Sequence, residues 1–498
     1  MDQIEQAKEM IKAGIKQATR LFHEGNLPGC LMLIGHILQM DPHNDDALQI
    51  AGLLKLRVEE KEEATRLLTL ARQINPANPD HHNNLAVAYS RAGKYDESIA
   101  CVRDAIAIAP GRPVFWTNLG VQLKGKAAGK TGAERESLLN ESEAAFNKAM
   151  ELDPNAATAF ANLGSLSAER HQMGRAAELM EKALEIDPKL SGVHVDLSYV
   201  YFLTGQFKKG WPHYEHRMTH YPQASRWEKV FPSSKRWDGR TSLEGKTVGI
   251  FCEQGCGDAI HFARYIPLIK KMAGEVWLCC HDPLKGLMSQ FCETIPMSQK
   301  PPYYDVSIPI MSLPYLLGDP ETPNVYIDTK PADLSVYGGF KVGICWAGNP
   351  QHPGDRFRSV HLREFSPLAF EGVKLFSLQK DYRPRKYHDS EDVIDLCSDG
   401  PAVVDLSPML NNFDDTASFV AGMDLVISVD TAVMHLSAAM GKETWGLIPY
   451  NPDWRWGLYG SDTPLYSNLK LFRQTQKNDW RSVMGAVGAK LREKLSPR

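Results

Sequence analysis

Three short stretches of the chain place polar side chains where an apolar run gives way to a turn. In FCEQGCGDAIHFARYIP, Phe251 to Pro267, Gly255 and Gly257 mark a turn from which Asp258 and His261 enter a helix. A carboxylate at a glycine-flanked strand end can reach a hydroxyl and take its proton, and His261, near the same helix face, is the substitute. In CWAGNPQHPGDRFRSV, Cys345 to Val360, a polar loop carries Asn349, His352, Asp355, Arg356, Arg358 and Ser359. In SVDTAVMHLSAAMGKETWGLIP, Ser428 to Pro449, Asp430 and Thr431 precede a helix starting near Ala432, with His435 one turn in. A helix N-terminus offers free amides and the positive end of its dipole, so it suits phosphate. Thr431 adds a hydroxyl donor, while Asp430 either caps the helix or receives a ligand hydroxyl. Gln379 and Lys380 close the run SLQK, and Trp454, Arg455 and Trp456 lie in PDWRWGLY. Arg356 or Arg358, with Lys380, can neutralise an anion, although each also reads as a solvated surface cation. The tryptophans read equally as pocket walls and as packing.

The elements that must position these groups are short apolar runs separated by helical segments: KTVGIFCEQ, EVWLCC, YDVSIPI, KVGICWAG, KLFSLQ, AVVDLS, DLVISVD and ETWGLIP. Runs of this length alternating with helices predict βα units and parallel sheets. They form two groups parted by DTKPADLSVYGG, which predicts two Rossmann-like lobes, 245–337 and 338–498, facing a cleft. Ligands of such sheets sit outside the carboxyl ends of the strands, and the three stretches above all fall there.

The first half has a different period. Prolines at Pro42, Pro76, Pro110, Pro154 and Pro188 each close a helical run, at intervals of 34, 34, 44 and 34 residues. A period of 34 is that of the tetratricopeptide repeat, a helix-turn-helix unit in which small and large residues interlock. The long interval carries about ten extra residues near KGKAAGKTGA, Lys124 to Ala133, which predicts a longer loop between the fourth repeat's helices. A sixth unit with Leu197, Tyr201, Gly205 and Phe207 keeps the pattern to Pro212. It is expected to cap an all-α solenoid over 1–222, followed by a linker over 223–244. A stacked array exposes a groove, so peptide or protein binding is its expected work, with a spacer or dimerisation arm as the alternative.

Composition narrows the field. With 56 basic and 60 acidic residues the formal charge is −4, which offers no field for a polyanion and argues against nucleic acid as a partner. The first twenty residues are charged at helical spacing and lack the apolar core of a signal peptide, and no run of ~18 apolar residues occurs, so we expect a soluble, cytoplasmic protein without a transmembrane segment. Nine cysteines, including Cys279, Cys280 and Cys397, form no C-x-x-C pair, which favours reduced thiols over a disulfide framework or a zinc site.

Taken together, EQGCGDAIHFARYIP, VGICWAGNPQHPGDRFRS, SLQK, ISVDTAVMHLSAAMGK and PDWRWGLYGSDTPLY resemble bacterial tetratricopeptide-repeat glycosyltransferase-like proteins. The carboxyl half of that group is similar to the lipopolysaccharide heptosyltransferases and, more distantly, to the O-linked N-acetylglucosamine transferases. The resemblance implies a glycosyltransferase-B fold with the nucleotide sugar mainly on the second lobe and the acceptor mainly on the first. It implies that Gly257-Asp258 matches the family's Gly-Asp, whose aspartate is the base. It also implies that Asp430-Thr431-Ala432-Val433-Met434-His435 matches the Asp-Thr-Gly-x-x-His turn that receives the donor phosphates. Ala432 replaces the glycine, which leaves the backbone less close to a pyrophosphate. Donor contacts are then expected from Asn349, Arg356, Arg358, Gln379, Lys380, Asp430, Thr431, Ala432, His435 and Trp454.

The chain has no evident D-x-D site, so metal-independent transfer is expected, with cations and amides taking the leaving charge, no cofactor, and a nucleoside-diphosphate sugar as substrate. The acceptor is expected to be a protein or peptide presented by the repeats, with a glycan as the alternative. A catalytically inactive repeat scaffold, or an oligomer, is also compatible with the sequence. A dinucleotide oxidoreductase fits less well, because EQGCGDA lacks the G-x-G-x-x-G turn.

Overall fold

The computed structural model describes residues 2–352, 354–380, 385–386, 393–394 and 399–496; Cys397 lies outside them. The chain divides into two compact units, 1–193 and 194–498.

Among the described residues, the first unit is built of five helix pairs. Small residues recur through the chain at one register: Ala18, Gly52, Ala86, Gly120, Gly164 and Ser198 on the first helices, and Cys30, Ala64, Ser98, Ser142, Ala176 and Gly210 on the second. They let the two helices of a pair approach until side chain meets backbone. Cys30 Sγ donates to the Ala18 carbonyl at 3.3 Å, Ser98 Oγ to that of Ala86 at 2.7 Å, and Ser142 Oγ to that of Gly120 at 2.7 Å. The turn inside a pair passes through the left-handed region at Gly25, Gly93 and Gly205, with φ of 78°, 75° and 76°. Glycine takes that conformation without a Cβ clash. Glu59 and His171 occupy the same register with φ of 61° and 56°.

The fourth pair corrects the expectation of a longer loop. Its helices are Pro113–Ala128, 16 residues, and Gly132–Leu152, 21 residues, against 13 and 14 in the pair before it, while three residues still join them. The ten extra residues lengthen the helices. Ala127, Leu139 and Phe146 show why, for they bury against Leu163 and Leu166 of the next repeat.

The split between units, after Val193, falls in the first turn of the sixth helix pair, Ser191–Leu203 and Phe207–Tyr214. Phe202, Trp211 and Tyr214 bury in the α/β core with Val248, Phe262 and Trp454, which ties this pair to the second unit. Residues 223–244, read from the sequence as a linker, are packed: helix Ala224–Val230 sets Trp227, and the following turn Phe231, against Phe251 and Trp277 of the first sheet.

That sheet is β1 (Thr247–Phe251), β2 (Glu275–Cys280), β3 (Glu293–Pro296) and β4 (Val306–Pro309), parallel throughout in the order β3-β2-β1-β4. In the second lobe lie β5 (Phe340–Cys345), β6 (Val373–Ser377), the small antiparallel pair β7 (Arg385–Lys386) and β8 (Val393–Ile394), then β9 (Val404–Asp405), β10 (Leu425–Val429), β11 (Thr444–Ile448) and β12 (Leu469–Arg473). The six-stranded parallel order is β12-β11-β10-β5-β6-β9. Each of the eight apolar runs read as strands is one. Strand order reverses between β1 and β4 in one lobe and between β5 and β10 in the other, and such switch points open ligand crevices at the carboxyl ends. Among the described residues, no helix is long and apolar enough to cross a membrane.

Candidate functional site

A cleft of about 1240 Å³ lies where both switch points open, lined from the first lobe by the loop after β1 and from the second by those after β5 and β10. The lobes meet closely there. A methyl group on Gly257 would stand 3.0 Å from the His435 ring and 3.5 Å from the Ala432 Cα. The helix starting at Cys256 thus comes up against the start of helix Ala432–Ala439. The first amides of that second helix, those of Ala432 and Val433, have no partner within it.

Thr431 stands at its N-cap, but its hydroxyl meets Ser428 Oγ at 3.0 Å and makes no capping bond. Asp430 is half-buried on the cleft wall. Burial and the charge of Asp453, opposed by Arg358 and Arg455, push its carboxyl up to about 6.

From the loop after β5, Arg358 and Asn349 line the cleft. Buried Asp355 orients Arg358 by accepting from its Nε at 3.1 Å and is itself held by Ser359 Oγ at 2.9 Å. Gly348 leaves room for this pair, since a Cβ there would overlap both side chains. Arg356 is not among the lining residues; it is exposed and lies over Phe357, so of the two arginines the structure brings Arg358 to the site. Gln379 Oε1 accepts from the Ala347 amide at 3.0 Å and fastens the end of β5. Lys380 lines the cleft with its ammonium on the carbonyls of Leu410 and Asn411, the second at 3.1 Å.

Asp258 lines the facing wall. Its Oδ2 accepts from the Gly255 amide at 2.8 Å and its Oδ1 from Arg455 Nη2. Arg455 is buried, and its Nη1 donates to Asp453 Oδ1 at 2.8 Å. His261, the substitute base, is not among the lining residues. It is buried behind the wall, where His261 Nδ1 and His435 Nδ1 each meet the Tyr466 hydroxyl at 3.1 Å. Burial first, then nearby cations including Arg264 and Arg455, holds both imidazoles well below the usual histidine range. Trp454 belongs at once to the cleft wall and to the core, 4.6 Å from the Phe202 ring centroid.

Sequence reasoning missed the carboxylate clamps. Buried Arg217 donates to Glu253 Oε1 from Nη2 at 2.7 Å and to Glu215 Oε1 from Nη1 at 2.7 Å, and Arg217 and Glu253 line the same cleft. Glu253 stands two residues past the end of β1 and was findable as a charge at a strand end; Arg217 closes GWPHYEHR at the end of the repeat-like region, where no role was read for it. A separate cluster of possible metal ligands, Asp45, Asp46 and His81, lies in the repeat unit. There His81 already meets Gln49 Oε1 at 2.5 Å through Nδ1 and Asp45 Oδ2 at 2.8 Å through Nε2.

Residues 371–480 match the glycosyltransferase family 9 (heptosyltransferase) model, and residues 51–113 and 135–191 match a tetratricopeptide-repeat model. Protein FlbA of Caulobacter vibrioides is 24% identical over 497 residues, spanning 89% of this chain and 77% of that protein. Superkiller protein 3 of Schizosaccharomyces pombe is 26% identical over 151 residues, 30% of this chain and only 11% of that protein. Among solved structures, Pseudomonas aeruginosa pilF aligns over 45% of this chain and 97% of its own at 14% identity, with a TM-score of 0.36, too slight a likeness to carry an argument.

Proposed function

From a chain that joins tetratricopeptide repeats to a glycosyltransferase family 9 segment, and so is a glycosyltransferase-type enzyme, we propose a specific reaction. The cleft transfers a sugar from a nucleoside-diphosphate sugar to a hydroxyl of a protein or peptide held by the repeats. The observation that carries this reading is the close approach of Gly257 to Ala432. It sets a carboxylate of one lobe across from a helix N-terminus and a cation of the other.

The donor diphosphate sits on the amides of Ala432 and Val433 with Arg358 beside it, where preorganised donors stabilise charge as it develops. The acceptor hydroxyl gives its proton to Asp258, its oxygen bonds to the anomeric carbon, and the bond from that carbon to the phosphate oxygen breaks. The electron pair leaves with the diphosphate. Lys380 holds the 410–411 backbone against the donor side, and Trp454 walls the cleft. The leaving charge is assigned to these groups without a metal, so a chelator should leave turnover unchanged.

The test is a panel of nucleotides in a thermal-shift assay. One nucleoside diphosphate should raise the melting temperature, and Arg358→Ala should weaken its binding by roughly 10- to 100-fold, the worth of about 1.5–3 kcal/mol for a charged hydrogen bond. A response to dinucleotides alone, or to no nucleotide, would overturn the reading.

A further inference from the structure

Asp258 is more firmly held than a carboxylate free in a cleft. Both of its oxygens are engaged, Oδ2 by the Gly255 amide of its own loop and Oδ1 by Arg455 from the opposite lobe. Each carboxylate oxygen accepts more than one hydrogen bond, so lone pairs remain on both, in a plane the two donors fix. Arg455 is held in turn. Asp453 Oδ1 accepts from its Nη1 at 2.8 Å and from its backbone amide at 3.0 Å, and its guanidinium lies 4.3 Å from the Trp454 ring centroid. Trp454 packs on Phe202 and Trp211, so the chain of contacts ends in the core.

Other charged or titratable groups around Asp258 include Cys256 of its own helix, His352 from the β5 loop, His435 from helix Ala432–Ala439 and Tyr214 from the sixth helix pair, with Arg358 in the same cleft. Arg358 is engaged by Asp355, and His435 by Tyr466. Arg455 is the cation that donates to Asp258.

We propose that Arg455 is a positioning residue, which acts through Asp258 by holding the carboxylate in the orientation that receives the acceptor proton. It spans the two lobes, so the base is set by the same lobe that seats the donor. This inference rests on the reading of Asp258 as the base in a glycosyl-transfer cleft. The gain is geometric. A misplacement of about 1 Å can lower a rate by ~10²-fold.

The experiment is a double-mutant cycle on donor hydrolysis, with water as acceptor and the nucleotide sugar of the best-binding nucleoside diphosphate as substrate. Arg455→Met should lower kcat by roughly 10- to 100-fold, Arg455→Lys should recover part of it, and nucleoside diphosphate affinity should change less than about threefold. The Asp258→Asn/Arg455→Met protein should be no slower than Asp258→Asn alone, because removing the base removes what Arg455 acts on. Asp453→Asn should give the same pattern more weakly, and it keeps the question open to measurement if Arg455→Met folds poorly. Additive losses, or an Arg455→Met rate equal to wild type, would overturn the proposal. A wild type that binds no nucleoside diphosphate would instead remove the glycosyl-transfer reading beneath it, which calorimetry detects before any rate is measured.

Discussion

At the scale of single residues, the cleft is shaped by charges that are buried and paired. His261 and His435 are held neutral by burial and by neighbouring cations. Once unfolded they titrate near the ordinary histidine value of about 6.5, so below that pH the unfolded chain binds more protons and stability falls. The slope is up to ~1.4 kcal/mol per pH unit for each histidine. Asp430 works the other way. Pushed up to about 6, it takes a proton in the fold before it would in the unfolded chain, which adds stability as pH falls from about 6 toward the ordinary aspartate value of 3.8. Denaturant midpoints should therefore drop below about pH 6.5, less steeply in His435→Gln, and more steeply below about pH 6 in Asp430→Asn. A wild type with constant stability across that range would contradict the burial of neutral imidazoles.

Much of this cleft was legible in the sequence, because Asp258, Arg358 and the 430–435 turn stand at strand ends where apolar runs stop. The partners were not. Arg455 could be read as a pocket wall, and its bond to Asp258 joins residues 197 positions apart in the chain. His261 shares a helix with Asp258, yet burial sends it to Tyr466 rather than to the cleft.

At the scale of elements, glycine separates two kinds of site in the repeats. Gly120 faces Phe146, and a Cβ there would stand 2.5 Å from the ring, whereas a Cβ on Gly35, inside helix Leu27–Met40, meets nothing within 4 Å. Gly120→Ala should destabilise by about 1–3 kcal/mol through overpacking. Gly35→Ala should stabilise by roughly 0.5–1 kcal/mol through helix propensity and a less flexible unfolded chain. Chemical denaturation of the two variants decides it, and equal effects would refute the close helix approach. The repeat period was plain from the prolines, but the added residues of the fourth repeat were read as loop because Gly and Lys cluster there. Packing of Leu139 and Phe146 against the next repeat overrides that local preference. Strands β3 and β12 escaped the sequence reading: ETIP is short and ends in proline, and LKLFR is interrupted by charge.

At the scale of the whole molecule, the proposed division of labour gives the repeats the acceptor and the α/β unit the donor. Capture of a long acceptor by the repeats would raise its effective concentration at the cleft, to the ~mM range for a short flexible connection. Deleting residues 1–188 keeps the sixth helix pair, whose Phe202 and Trp211 are part of the α/β core. That truncation should raise KM for a long protein acceptor while leaving donor hydrolysis near the full-length rate. Unchanged kinetics toward long and minimal acceptors would instead make the repeats a spacer. The claim on which all of this depends is the seat of the donor. A crystal structure of the full chain with its best-binding nucleoside diphosphate should show the phosphates on the Ala432 and Val433 amides beside Arg358, and phosphates at Gly255 and Cys256, or outside the cleft, would contradict it.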